Sequence, residues 1–425
     1  MAPLPTTLTL LSRSRTLTPP PDFAGAAAQW IDPTDVLTVL MIIGGDIVQR
    51  ALASLAGSRS VVPFAPIAFS FGWVAYSFSA ILSAIGSRRL LPDPDYDCTL
   101  VNAKSGHQRP VKSLPLARLF RDHQPLNEES RGLAVSFFET DPSRVTGYSD
   151  IDWVYLLSIV IIIVQLVLSV IPIITHRHYM VFILTLGGTV LALLTSALPQ
   201  WREEKWAART TLSKAHNVMC ITGGNGSGAV MVIIQRGIGL NLEDLAAGRD
   251  RPSVLTSTTT IVLAILWIMH LVTMQGLTMD SWFSLSIGAL GMIQNAVAAG
   301  AKRSPGALGF HIKSIGKTIH KNKVFEALQE AEKTESYVGL SLLPIFFPGK
   351  LRSEEIAWRD ERMACLEKSS KVPDASISNE MQAQEKMSSA SGTMVHPSCG
   401  HSTPDMEDVA DHSADVAVPP PKCVG

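Results

Sequence analysis

The chain has 425 residues, with 36 Lys and Arg against 37 Asp and Glu, 46% hydrophobic residues and only 17% charged ones. An average soluble protein is about a quarter charged, so charge has given way to apolar residues over a length worth roughly two or three domains. Near-zero net charge excludes a global electrostatic grip on nucleic acid, and five scattered cysteines are too few for a disulfide scaffold. What remains is a polytopic membrane protein.

Residues 1–31 are rich in Thr, Ser and Pro, carry Arg13 and Arg15, and hold no acid before Asp22. This stretch lacks the long apolar region of a secretory signal and matches a transit peptide only in composition, so it reads as a disordered tail. A bilayer core about 30 Å thick needs roughly 20 apolar residues per helix. Residues 36–56 approach this, interrupted by Asp46, Gln49 and Arg50. Asp32 can cap that helix, Pro33 suits its first position and Gly57 can end it. Residues 64–85 carry no charge and complete a first transmembrane hairpin over 32–86.

Residues 87–152 form a polar stretch long enough for a small lobe, with strands expected over 98–103 and 133–138 and a helix over 114–122. Spans at 153–174 and 179–198 make a second hairpin, 153–199. A second lobe follows over 200–253, where β-rich runs at 218–222 and 229–235 flank Gly223-Gly224-Asn225-Gly226-Ser227-Gly228, a hairpin signal. Spans at 258–277 and 281–301 make the third hairpin, 254–301. Residues 302–366 are a basic juxtamembrane segment with a helix over 322–334 and an apolar, proline-broken stretch over 338–348 that is too short to span. Residues 367–425 are Ser-, Asp- and Pro-rich without periodicity, and cannot bury enough apolar surface to fold alone.

The expected fold is therefore an α-helical polytopic membrane protein: six transmembrane helices in three hairpins, two small cytosolic α+β lobes and disordered termini. Arg88, Arg89, Arg144, Arg202, Lys205, Arg209, Lys302 and Arg303 flank the lobes, whereas the hairpin tips offer Arg59 and Arg177. Positive charge marks the cytosolic side, which places both termini and both lobes there.

Charges within a span usually face a bundle interior or a watery cavity. Asp46 and Arg50 are four residues apart and can pair; with Gln49, His270, Gln294 and Asn295 they form the candidate intramembrane polar site. The bland alternative is a self-paired structural element with amides acting as interhelical glue. The glycine run at 223–228 lacks the Lys-Ser or Lys-Thr of a phosphate loop and leads into a strand, so no nucleotide is expected. His396, Cys399 and His401 are too few and too flexibly placed for a metal, and Cys423 does not fit a prenylation signal. No cofactor is expected. Lys302, Arg303, Lys313 and Lys317 suit anionic lipid headgroups beside the bilayer.

Several phrases stand together in the chain: Gly44-Gly45-Asp46-Ile47-Val48-Gln49, Phe69-Ser70-Phe71-Gly72-Trp73, Val101-Asn102-Ala103-Lys104, Ala197-Leu198-Pro199-Gln200-Trp201-Arg202, and Leu343-Pro344-Ile345-Phe346-Phe347-Pro348-Gly349. Over residues 32–352 the chain resembles a family of uncharacterised multi-pass membrane proteins of filamentous fungi. The resemblance implies location and architecture and brings no catalytic residue. The functional expectation is a non-catalytic interaction platform or sensor with a cytosolic protein partner. The alternatives are a transporter or channel using polar residues of the first span and, third, a membrane-bound enzyme.

Overall fold

The structure, a computed structural model, describes residues 44–59, 63–86, 89–125, 132–211, 216–236, 239–249, 254–277 and 279–370. The tail expected over 1–31, the first part of the expected first span, and the His396, Cys399 and His401 group lie outside the described residues, as does the tail expected over 367–425 except for residues 367–370, which are helical and not disordered.

The expected six spans are not supported by the described residues. Among the described residues three helices are long and apolar enough to cross a bilayer: α4 (Trp153–His176), α8 (Val254–Gln275) and α9 (Ser281–Gly300). A fourth crossing is α5 (Met180–Ser196), bent by 41° from the short α6 (Pro199–Lys205). The chain must return through α5, because strands before α4 and after α6 lie in one sheet. Outward apolar side chains such as Ile159, Ile163, Val167, Ile183, Val190, Ile265 and Val272 form the lipid-facing belt. Exposed Trp153 stands at the sheet end of that belt, with exposed Tyr179 and Trp282 at the opposite end, where amphipathic rings favour the bilayer interfaces.

The described part of the first expected hairpin is not a pair of spanning helices. Within it the described helices are α1 (Gly45–Leu55, 11 residues) and α2 (Trp73–Ile85, 13 residues). At 1.5 Å per residue these reach about 16 and 20 Å, short of a 30 Å core. Between them residues 63–70 have no regular secondary structure, yet Ala65, Ile67, Ala68, Phe69, Ser70 and Phe71 are all buried.

The non-membrane part is built on one six-stranded mixed sheet. Its strands are β1 (Thr99–Asn102), β2 (Gln108–Pro110), β3 (Leu133–Thr140), β5 (Asn217–Thr222), β6 (Ala229–Gln235) and β8 (Ile312–Lys321), in the order β2-β1-β5-β6-β3-β8. The sheet thus draws on both polar stretches and on the basic segment after α9. β3 and β6 pair in parallel; every other pairing is antiparallel. A separate two-stranded pair joins β4 (Thr210–Thr211) to β7 (Gly239–Leu240).

Period-two alternation covers both faces of this sheet. Met219, Ile221, Met231 and Ile233 face α3 (Leu114–His123) and α7 (Leu242–Ala247). Val218, Cys220, Val230 and Val232 face α10 (Val324–Thr334) and α11 (Val338–Phe346). The expected strands and helices of this part are present. The basic segment forms the edge strand β8, with Lys313 and Lys317 exposed along it and lysine discouraging strand addition there. The final described helix is α12 (Ser353–Ser370).

Candidate functional site

Residues 64–72 cross the inside of the helical bundle, and a chain of contacts fixes their direction. α9 ends beside the sheet portion, because Ala299 O accepts from Arg118 Nη2 at 2.9 Å. Ala65 exchanges hydrogen bonds with Ser196 Oγ at the sheet end of α5, at 3.0 and 3.1 Å. Ala68 meets Gln294 and Asn295, Phe69 meets Gln165 and Gly291, and Phe71 meets Gly288. These contacts climb α9 toward its far end. Phe71 therefore lies about 10 Å from the far end of α9 and about 18 Å from its sheet end, at 1.5 Å per residue. Beyond α2 the chain is back at the sheet end, where Leu90 N–H donates to Glu204. An extended limb enters and a helix leaves on the same side: the element is re-entrant.

Irregular backbone at membrane depth must be buried in protein or line a cavity, because hydrocarbon offers no hydrogen-bond partners. Here buried amides supply them. Gln165 Nε2 donates to Phe69 O and Ile287 O, each at 2.8 Å. Gln294 Oε1 accepts from Ala68 N–H at 3.3 Å while its Nε2 donates to Ser158 Oγ. Asn295 Nδ2 donates to Ala68 O at 3.3 Å and Ser70 Oγ at 2.9 Å. Glycines clear the path: a Cβ on Gly291 would lie 1.8 Å from Phe69 O, and one on Gly288 would lie 2.2 Å from Phe71 Cζ. Aromatic rings line the remaining side. Phe69 stands edge-on to His270 at 5.4 Å, Trp267 stacks on Trp73 at 5.2 Å, and Trp73 Nε1 donates to Ala68 O at 3.1 Å.

Gln294, Asn295 and His270 of the expected polar site thus come together around this segment. The residues of α1 do not join them. Asp46 is exposed and, among the described residues, has no ion pair; Arg50 lies 3.9 Å from Asp95, not against Asp46. A helical spacing of four permits an Asp46–Arg50 pair, but the sheet portion presents Asp95 to Arg50 instead. Gln49 Nε2 donates to Leu90 O at 2.9 Å and so secures the exit of the re-entrant element. Gln165, which the sequence shows as an intramembrane polar group alongside His270, Gln275, Gln294 and Asn295, joins the cluster around this segment, whereas Ser158 is not anticipated there.

A second polar cluster welds the bundle to the sheet portion. Arg303 Nε and Nη2 donate to Asp152 at 2.7 and 2.9 Å, and its Nη1 donates to Ser54 O at 2.9 Å. Lys205 Nζ donates to Ser54 O and Ala56 O at 3.1 and 2.9 Å. Side-chain N–H donors of Arg303 and Lys205 therefore sit on the C-terminal carbonyls of α1, the end of the helix that lacks intrahelical donors. Arg303 is buried in this junction, which removes it from the group expected to meet lipid headgroups.

Burial pushes the Cys98 and Cys220 thiols of the sheet portion up to about 12, the opposite of thiolate activation. Among the described residues the group with metal-ligand spacing, His176, His178 and Asp280, lies at the far hairpin tips and not in this site. No protein-family model, curated protein or solved structure matches this chain.

Proposed function

We propose that the chain is a non-catalytic integral membrane protein that acts as an interaction platform or sensor. A partner bound on its sheet portion would bias the re-entrant element through the Arg303 and Lys205 junction. The observation that carries this reading is the hold of the Arg303 and Lys205 side chains on the carbonyl end of α1, since α1 packs against the re-entrant helix α2. Gly45 lies so close to α2 that a Cβ there would meet Tyr76 N at 2.7 Å. Movement of the sheet portion is thereby coupled to α1 and, through it, to residues 64–85.

The exposed lysines of β8 and the turn at 223–228 are the surfaces offered to a protein partner, with Lys302, Lys313 and Lys317 available to anionic lipid. In this reading both termini and the sheet portion face the cytosol, an orientation supported by the excess of Lys and Arg in the segments flanking the spans.

A transporter is the second reading, favoured by one observation: Gln165 Oε1, Asn295 Oδ1 and His270 Nε2 are buried around the re-entrant segment without a hydrogen-bond partner among the described residues. Discontinuous elements with such groups line substrate paths in transporters. Proteoliposomes separate the two. The platform reading expects proton and monovalent-ion flux equal to that of empty vesicles. It also expects proximity labelling from an enzyme inserted at Asn225 to yield protein neighbours that the triple variant Lys313→Glu, Lys317→Glu, Lys321→Glu loses. Flux that Gln165→Ala abolishes would overturn it in favour of transport.

A further inference from the structure

The two long hairpins meet at their tips, on the face opposite the sheet. α4 ends at His176, and Arg177 then takes the left-handed conformation (φ 58°) that reverses the chain. Its N–H bonds Ile173 O at 3.1 Å, and the N–H of His178 bonds Pro172 O at 3.2 Å. This double closure is usually made with glycine at the left-handed position. It holds the rings of His176 and His178 with centroids 5.7 Å apart.

The partner comes from the other hairpin. Asp280, also left-handed (φ 61°), starts α9 and turns its carboxylate toward both rings. His176 Nδ1 lies 2.9 Å from Oδ1, and His178 Nδ1 lies 2.6 Å from Oδ2. Three ligand atoms from two hairpins fall within 4.8 Å of one another. The Asp280 side chain is only 10% exposed, whereas those of His176 and His178 are 54% and 34% exposed, so an anchored carboxylate faces two imidazoles that solvent can reach.

We propose that His176, His178 and Asp280 bind one divalent transition-metal ion of the zinc class and so clasp the α4–α5 tip to the α8–α9 tip. Two imidazoles and a carboxylate are the donor set of zinc sites, while calcium and magnesium favour oxygen ligands throughout. With metal–ligand bonds of about 2.0 to 2.1 Å, tetrahedral ligands stand about 3.4 Å apart, a spacing these three atoms reach by small side-chain adjustment. Three protein ligands leave the fourth position to water. The clasp joins α4–α5 to α8–α9 at the end where no sheet holds them.

The test uses the full chain in detergent, stripped with EDTA, dialysed and titrated with zinc chloride by calorimetry. The proposal expects one saturable site per chain, unaffected by a hundredfold excess of calcium or magnesium, and weakened at least about tenfold by His178→Ala and by Asp280→Asn. Zinc X-ray absorption should show imidazole nitrogens at about 2.0 to 2.1 Å. His176 is the most exposed ligand, so His176→Ala guards against misfolding. Metal-free His176→Ala should melt with the metal-free parent, and zinc should raise the melting temperature of the parent alone. Absence of saturable binding would make the cluster an ion pair only, and binding that survives His176→Ala and His178→Ala would place the metal elsewhere; either result overturns the proposal.

Discussion

Arg303 and Asp152 form a bidentate pair, at 2.7 and 2.9 Å, in which the carboxylate also accepts the Tyr155 N–H that starts α4. Their side chains are 3% and 9% exposed. One acid thus caps a membrane-crossing helix and holds the cation that follows the last one.

Because removing one member leaves a buried charge without its partner, Arg303→Ala should cost about 3 to 5 kcal/mol. Asp152→Asn keeps the cap but leaves Arg303 without its counter-charge, so it should cost a comparable amount, and Asp152→Ala, which loses the cap as well, about 1 kcal/mol more. Chemical denaturation of the detergent-solubilised protein measures all three, and Asp152→Asn at the stability of the parent would show that the charge pair contributes nothing beyond the cap.

Gly291 and Gly187 provide a matched contrast within the bundle. Alanine at Gly291 would place its Cβ 1.8 Å from Phe69 O, whereas at Gly187 the nearest atom is 3.8 Å away. Gly291→Ala should abolish recovery of folded, monodisperse protein. Gly187→Ala should be neutral or stabilising by up to about 1 kcal/mol, the helix-propensity difference between the two residues. Size-exclusion profiles and melting temperatures after solubilisation distinguish the outcomes.

Glu332 is 1% exposed in the sheet portion and accepts N–H bonds from Tyr337 at 2.9 Å and Leu340 at 3.2 Å. Burial raises its carboxyl above the ordinary range, outweighing those bonds and nearby Arg362, which lower it. Folding therefore favours the protonated form. Its contribution is complete below the unfolded value of about 4.3 and is lost as pH rises through the higher folded value. Glu332→Gln should gain stability relative to the parent between pH 5 and pH 8, and a constant difference across that range would refute the assignment.

The sequence made the sheet portion legible because its signals are local. Alternation in 218–222 and 229–235 and the glycine run between them specify a hairpin whatever surrounds it. The four long apolar windows were legible for the same reason. The first hairpin was misread because residues 64–71 are as apolar as a spanning helix. What makes them extended is remote: Gly288 and Gly291 on α9 and the amides of Gln165, Gln294 and Asn295. No window over 64–85 contains that information. Proline at position 63 and glycine at 72 were the available cues that helix begins only at Trp73. The tip cluster did leave a trace, His-Arg-His in one short link and an aspartate in the other, but only the fold brings the two links together.

The most direct test of the re-entrant element is the sidedness of Pro63, which is exposed at its entrance. Single cysteines at Pro63, at Asn225 in the sheet hairpin and at Arg177 in the far tip, added to the parent chain in sealed vesicles, are labelled with a membrane-impermeant maleimide. Labelling of Pro63→Cys from the same side as Asn225→Cys, opposite to Arg177→Cys, is the expected result. Labelling of Pro63→Cys from the side of Arg177→Cys would restore a transmembrane hairpin over 32–86 and contradict the re-entrant fold.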